Sequence, residues 1–243
     1  MKKQLFMLAA GTACWLGLAP SAHAQVAWTD KGFVSVNVGA QAPSRTFDST
    51  TTPDIYGEAA SFTSSQDVGG GFLFDISGGY KVWRNLVVGV GLSHVGSSAD
   101  LTVNGRIPDP VFFDAPRNVT TTINDVKHSQ TAIDLTGTWM MPITEKVEVG
   151  YQFGPTIFLV SQDVPGVPTI TEPGPTVTAF PVEKVDKTSV GVHFGVDLTY
   201  LVTKKVGVGG LIRYSVGKAD LEGGDDKLTV GGFQIGVGVR YRF

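Results

Sequence analysis

Apolar and polar residues alternate with a period of two along most of this chain. Val34, Val36 and Val38, for example, are separated by Ser35 and Asn37. Successive side chains of a β-strand point to opposite faces of a sheet, so the pattern predicts strands with one apolar and one polar face. Eight segments show it, at about 34–40, 72–80, 86–93, 133–139, 147–154, 190–200, 206–215 and 233–243. The sequence therefore predicts an all-β protein with eight strands.

The connections between the predicted strands alternate between short and long. Three are short, at about 81–85, 141–146 and 202–205. Four are longer and polar, at about 41–69, 96–129, 161–187 and 218–227. An antiparallel up-and-down meander needs this alternation if its long loops all lie at one end. Loops of more than about 15 residues are unusual in compact domains, so we expect that end to carry function.

The first 24 residues have the three parts of an export signal. Lys2 and Lys3 supply the positive start, and the apolar stretch at 5–18 is shorter than the roughly 20 residues that a spanning helix needs. Small residues then flank His23 in the triplet Ala22-His23-Ala24. We expect a signal peptide at 1–24, cleavage between Ala24 and Gln25, and one barrel domain at 25–243.

Charge and cysteine content exclude several classes of function. The formal net charge is −3, so the chain lacks the basic surface that nucleic-acid binding requires. Cys14 is the single cysteine and lies inside the predicted signal peptide. The exported part therefore has no disulfide, thiol nucleophile or zinc site built on cysteine.

Alternation alone leaves open which face of the sheet is inside. A soluble barrel places its apolar face inward around a ligand, whereas a membrane barrel places it outward against lipid. The polar faces carry charges of both signs among many glycines, which suits the narrow interior of an eight-stranded barrel. The longest alternating segments also reach the 9–11 residues that a tilted strand needs to cross a bilayer. Aromatic residues gather near the short turns, as at a membrane interface, and they are Tyr80, Trp83, Trp139, Tyr200, Tyr241 and Phe243. These observations favour an eight-stranded antiparallel up-and-down transmembrane β-barrel.

Charged residues on the polar faces fall at two depths in the predicted barrel. Nearest the short turns are Glu148, Asp197 and Arg240. Near mid-height are Asp75, Asp134, His193 and Arg213. Opposite charges at one depth should pair, because an isolated buried charge is very unfavourable. The network is interpreted as a plug that makes the barrel rigid, with a gated channel or proton path as the alternative.

The last segment, Gly238-Val239-Arg240-Tyr241-Arg242-Phe243, alternates and ends on phenylalanine. It resembles the terminal strand of the small bacterial outer-membrane barrels of the OmpA transmembrane-domain and OmpX/Ail type. That resemblance implies that the barrel-assembly machinery reads Tyr241 and Phe243. It also implies an integral outer-membrane location among outer-membrane lipid and lipopolysaccharide, with extracellular loops and periplasmic termini.

The function that this architecture favours is structural or surface interaction: envelope integrity, adhesion, or contact with host or cell-surface ligands through the loops. A porin-like channel for small solutes or ions is the alternative. A lipid-modifying enzyme that uses His94 or His128 is a more remote one, because no catalytic motif surrounds either histidine. We predict no catalytic residue, metal site or cofactor.

Overall fold

A computed structural model of the chain describes residues 27–42, 45–68, 70–166, 168–172, 176–179, 181–219 and 228–243. Within these ranges there is no helix long and apolar enough to cross a membrane. The described residues form fourteen strands. In chain order they are β1 (Gly32–Gln41), β2 (Arg45–Thr51), β3 (Asp54–Ile55), β4 (Glu58–Ala59), β5 (Ser61–Val68), β6 (Gly71–Trp83), β7 (Leu86–Ile107), β8 (Arg117–Pro142), β9 (Val147–Pro165), β10 (Thr169–Thr171), β11 (Thr176–Ala179), β12 (Val182–Leu201), β13 (Val206–Ala219) and β14 (Leu228–Arg242).

Eight of these strands close into a ring in which every neighbouring pair is antiparallel. The ring order is β1, β6, β7, β8, β9, β12, β13 and β14. Pairing of β1 with β14, from Phe33 opposite Arg242 to Gln41 opposite Gln234, closes the ring. The predicted eight-stranded up-and-down barrel is confirmed. Closure leaves the ring without a free edge. A sheet in lipid must be closed in this way, because unpaired backbone groups are very unfavourable there.

The apolar faces of the ring strands point outward. On β1 the side chains of Val36 and Val38 are about two-fifths exposed, whereas those of Ser35 and Asn37 are buried. The same division holds for β14, where Val237 is exposed and Gln234 is buried. An outward apolar face and a buried polar face match a membrane barrel and reverse the arrangement of a soluble one.

Glycine lets the first and last strands approach closely on the inner face. A Cβ atom at Gly238 would collide with the carbonyl oxygen of Val36 and the side-chain oxygen of Asn37. A Cβ atom at Gly39 would likewise collide with the carbonyl oxygen of Ile235. The glycines of the polar faces therefore have a packing role, and they also leave room for the large buried side chains.

The segments predicted as long loops are built largely of strands, which corrects that expectation. The ladder between β6 and β7 ends at Phe72 opposite Gly96, but β7 and β8 stay paired as far as Ile107 opposite Arg117. Segment 96–129 is thus a hairpin that extends about 11 residues, or roughly 35 Å, beyond the end of β6.

The other predicted loops differ from expectation in the same way. Segment 41–69 contains β2 to β5, and segment 161–187 contains the end of β9, β10, β11 and the start of β12. In segment 218–227, residues 218–219 end β13, and residues 220–227 lie outside the described residues.

A hydrophobic core outside the ring explains why these segments are ordered as strands. β5 pairs with β7 from Ser61 opposite Arg106 to Ser65 opposite Thr102, and β2 pairs with β5. The buried apolar side chains of this region, including one from β8, are called the hairpin core, and they are Ala60, Phe62, Leu101, Val103, Ile107 and Val126. Burial of these side chains supplies the hydrophobic stabilisation that a solvated loop lacks. The hairpins therefore form a small packed unit of their own beyond the ring.

Candidate functional site

Arg213 on β13 lies at the centre of the polar interior and is only 3% exposed. Its Nη1 donates to Asp134 Oδ2 at 2.9 Å, and its Nη2 donates to Asp75 Oδ2 at 3.0 Å. The Nε donates to Gln234 Oε1 at 2.6 Å. One guanidinium thus joins β6, β8, β13 and β14 across the barrel interior.

The remaining oxygens of the two carboxylates are also hydrogen-bonded. Asp75 Oδ1 accepts from Asn37 Nδ2 at 2.7 Å, and Asp134 Oδ1 accepts from Thr156 Oγ1 at 2.6 Å. His193 Nδ1 lies 3.3 Å from the same Asp134 oxygen. Buried ion pairs are tolerated when the geometry is good and the lone pairs are satisfied, as they are here. We call Asp75, Asp134, His193 and Arg213 the central network.

The three residues predicted nearest the short turns belong to two separate ion pairs, one of which includes Arg242. Arg240 Nη2 lies 2.8 Å from Asp197 Oδ2, and its guanidinium stacks 4.3 Å from the ring centre of Phe33. Glu148 pairs instead with Arg242. The structure therefore does not bring Glu148 and Arg240 together as direct partners.

Two residues before the first strand also contact the pair of Glu148 and Arg242, and the sequence analysis did not predict either of them. Trp28 Nε1 donates to Glu148 Oε1 at 3.2 Å, and Arg242 Nη1 lies 3.0 Å from Asp30 Oδ2. Trp28 is buried although it lies outside every alternating segment. Periodicity gave no signal for Trp28 and Asp30, since neither belongs to a strand.

Three buried glutamines, none of them among the predicted site residues, form a further hydrogen-bonded layer. Gln234 Nε2 donates to Gln41 Oε1 at 2.6 Å, and Gln41 Nε2 donates to the Gly231 carbonyl oxygen at 2.9 Å. The Gly231 amide in turn donates to Gln130 Oε1 at 2.9 Å. Gln234 lies on the polar face of a predicted strand, whereas Gln41 and Gln130 lie outside the segments predicted as strands, so the alternation gave no signal for these two.

Hairpin β7–β8 ends in a turn that exposes three consecutive apolar side chains. Val111, Phe112 and Phe113 are 77%, 68% and 84% exposed. The Asp109 Oδ1 atom accepts from the backbone N–H of Val111 at 2.9 Å and of Phe112 at 3.1 Å. These two hydrogen bonds lower the pKa of the Asp109 carboxyl from its usual value. We call residues 108–117 the hairpin tip.

Arg117 fixes the base of the hairpin tip to a neighbouring segment. Its guanidinium donates to the two carboxylate oxygens of Glu172 at 2.6 and 3.0 Å, and to the Pro108 carbonyl oxygen at 3.1 Å. The paired carboxylate of Glu172 raises the pKa of Arg117. Asp109 Oδ2 lies 3.4 Å from Arg117 Nε, and the Asp114 amide donates to Glu58 at 3.2 Å. The tip is therefore held in one shape by contacts at both of its ends.

We expect the turn at Asp109 to open only in acid. Because the pKa of Asp109 is lowered in the folded protein, its hydrogen bonds stabilise the turn above the usual value of 3.8 and are lost as the pH falls through the lowered value. The amide proton shifts of Val111 and Phe112, followed by NMR, should titrate with a midpoint below 3.8. The control, Asp109→Asn, should show no such step, and a midpoint at or above 3.8 in the unaltered protein would contradict the geometry.

The family of the chain follows from its sequence match to a known domain. Residues 10–243 match the family model described as "Outer membrane protein beta-barrel domain". The chain belongs to this family. It is accordingly an integral outer-membrane β-barrel protein, in agreement with its outward apolar face.

Comparison with solved structures returned small outer-membrane barrels. Neisserial surface protein A is 16% identical with a TM-score of 0.50, over 87% of this chain and 97% of that chain. Ail, the attachment invasion locus protein of Yersinia pestis, is 14% identical with a TM-score of 0.36, over 87% and 99%. OprG from Pseudomonas aeruginosa is 11% identical with a TM-score of 0.42, over 88% and 97%. Comparison with curated proteins gave no match.

The last residue of this outer-membrane barrel protein lies against the start of its first strand. The Phe243 carbonyl oxygen accepts from the amides of Lys31 at 2.7 Å and Gly32 at 3.1 Å. The rings of Tyr241 and Phe243 are exposed on the outer face and stack with their centres 6.4 Å apart. Ala24 and Gln25, the predicted cleavage site, lie outside the described residues.

The two histidines considered for catalysis lie on opposite faces of the barrel wall. His94 is exposed on the outer face, with its Nδ1 3.0 Å from Thr131 Oγ1. His128 is buried on the inner face, with its Nδ1 2.7 Å from Gln162 Oε1. The structure thus does not combine them in one site. Among the described residues, no group of three or more His, Cys, Asp or Glu side chains could hold a metal ion.

Proposed function

We propose that this outer-membrane barrel has a structural and surface-interaction role, with its hairpins outside the cell and its termini in the periplasm. The observation that carries the proposal is the hairpin core, a packed unit beyond the ring. A chain that served only to span the membrane would need nothing more than short connections between its strands. The ordered hairpins supply instead a fixed surface that can contact lipopolysaccharide or the ligands of another cell.

The polar interior supports a plug in preference to a channel. The central network crosses the lumen and joins strands on several sides of the ring through Arg213. An eight-stranded barrel is just wide enough for side chains to fill, so such a bridge leaves little room for a solute path. A rigid plugged barrel suits a protein that holds a binding surface in place.

The closing strand supports a role in assembly. Tyr241 and Phe243 present their rings outward beside the seam between β1 and β14. We include in the proposal that the barrel-assembly machinery recognises these two side chains before the seam closes.

Removal of the long hairpin tests the surface role. We would delete residues 100–125 and join Ala99 to Val126, which face each other in the ladder, through an Asn-Gly turn. The ring ladder between β7 and β8 stays intact, so the variant should still show the heat-modifiable gel mobility of a folded barrel. Adhesion of bacteria that display it to epithelial monolayers should fall to the level of bacteria without the protein.

A change at the opposite end of the barrel is the matched control. Replacement of the short turn at 143–146 by another four-residue turn should leave adhesion unchanged, because that turn lies on the other side of the membrane in the proposed orientation. Adhesion that survives the hairpin deletion, with the folded variant present at the cell surface, would reject the proposed role for this hairpin.

A further inference from the structure

We propose that the hairpin tip inserts Val111, Phe112 and Phe113 into the outer leaflet of a second, zwitterionic lipid bilayer. This inference rests on the proposed surface-interaction role, because it requires the hairpins to face outside the cell. It names the class of partner that the tip contacts, which the surface role alone leaves open.

The position and exposure of the three side chains fit a lipid-inserting element. They are more than two-thirds exposed, in contrast to the buried side chains of the hairpin core a few residues away. The ladder of β7 and β8 continues for about 11 residues beyond the end of β6, a length along the strand of roughly 35 Å, before it reaches the turn that holds them. Contiguous exposed apolar residues are characteristic of membrane or protein contact sites. A projecting turn enters a fluid bilayer directly, whereas a protein partner would need a cleft shaped to receive it.

The backbone of the tip is prepared for an apolar environment. In lipid, an unpaired N–H group is very unfavourable. The amides of Val111 and Phe112 already donate to Asp109, so these two residues carry no unpaired donor into the bilayer. This internal pairing of backbone donors is the observation that favours lipid over a protein cleft, where the partner could supply acceptors.

The turn is also rigid before it meets a partner. Pro108, Pro110 and Pro116 restrict the backbone, and Arg117 joins Pro108 to Glu172. A preorganised turn loses little conformational entropy on insertion. Tyr56, which is half exposed and lies 3.4 Å from Glu172 through its hydroxyl, places an amphipathic ring beside the tip. Tyrosine is enriched at the boundary between lipid and water.

Charge at the tip selects the kind of bilayer. Four carboxylates, those of Glu58, Asp109, Asp114 and Glu172, lie in the tip or against it, and Arg117 pairs with two of them, Asp109 and Glu172. An anionic membrane surface would repel this excess of negative charge. We therefore expect insertion into phosphatidylcholine and weaker binding to membranes rich in phosphatidylglycerol.

Vesicle flotation tests the inference directly. The protein, purified from outer membranes and held in lipid nanodiscs, is mixed with phosphatidylcholine vesicles at physiological salt and centrifuged through a density gradient. We expect it to float with the vesicles. The double variant Phe112→Ser with Phe113→Ser should lower the partition coefficient by at least about tenfold, because full burial of one phenylalanine side chain alone changes such a coefficient by about tenfold. The matched control is Ile143→Ser with Val202→Ser, which removes two exposed apolar side chains at the opposite end and should float like the unaltered protein.

Two results would overturn the inference: absence of flotation, and flotation of the Phe112/Phe113 variant equal to that of the unaltered protein. Binding that strengthens with the content of phosphatidylglycerol would contradict its charge argument. If the hairpin deletion abolishes adhesion but phosphatidylcholine vesicles do not bind the tip, the lipid partner is rejected and the surface role stands, with a protein as the partner. If the hairpin deletion leaves adhesion intact, the surface role of this hairpin fails, and the proposed lipid partner of its tip fails with it.

Discussion

Replacement of Arg213 by methionine is expected to lower the free energy of unfolding by about 3–5 kcal/mol, the usual effect of removing one partner from a buried ion pair. The guanidinium is buried and bonds both Asp75 and Asp134, so its loss leaves two carboxylates without their cation. Equilibrium unfolding in urea, with the protein in phospholipid vesicles and the folded fraction read from the heat-modifiable gel shift, measures the change.

Two further variants separate the charge effect from a simple loss of packing. Arg106→Met, at an exposed arginine of β7, should leave stability nearly unchanged, because exposed charges contribute little. Asp75→Asn and Asp134→Asn, added to Arg213→Met, should recover most of the lost stability, since no unpaired charge remains in the interior. If Arg213→Met unfolds at the same urea concentration as Arg106→Met, the central network is not an essential part of the barrel.

Introduction of an arginine at Val237 is expected to reduce stability by about 2–4 kcal/mol, the usual effect of this change at the middle of a bilayer. Val237 lies within β14, and its side chain is 65% exposed on the outer face. The guanidinium would lose its hydration where the barrel meets the lipid tails. Val192→Arg on β12, which also faces outward, should have an effect of similar size.

Controls for this prediction come from an adjacent position and from a turn. Gly236 faces the interior, where an added Cβ would lie 3.2 Å from the Val38 carbonyl oxygen, so Gly236→Arg should crowd the lumen instead of meeting lipid. Val202→Arg in the short turn should have little effect, because that exposed residue lies at an end of the barrel. Urea unfolding again supplies the comparison. Equal stability of Val237→Arg and Val202→Arg would mean that the outer face has been assigned wrongly.

The ring was predictable from the sequence because a membrane barrel imposes a strict period on its strands. Lipid on one side and a narrow polar interior on the other require each strand to alternate, as β1 does from Val34 to Val38. The hairpins were not predictable in the same way. Pro108, Pro110 and Pro116 indicated a loop, and the burial of Leu101 depends on Phe62, which is distant in sequence. The residues from Leu101 to Ile107 do alternate, but alternation does not state which partner covers the apolar face.

The buried charges were recognisable one by one, but their partners were not. Residues of opposite sign on the polar faces indicated pairing, and Arg213 does bridge Asp75 and Asp134. The choice of Arg242 over Arg240 for Glu148 depends on the stagger of the strands around the ring, which the sequence does not state. Trp28 and Asp30 join this pair from outside any strand, so no periodicity could have indicated them.

Planar-bilayer recording distinguishes a barrel that is closed by its central network from one that conducts. The folded protein, with insertion verified by its heat-modifiable mobility, is added to a bilayer under an applied voltage. We expect no resolved conductance steps, because Arg213 and its two carboxylates bridge the interior of a barrel that is just wide enough for side chains. Steady and reproducible openings of the unaltered protein would contradict the account and assign the function to transport through the barrel.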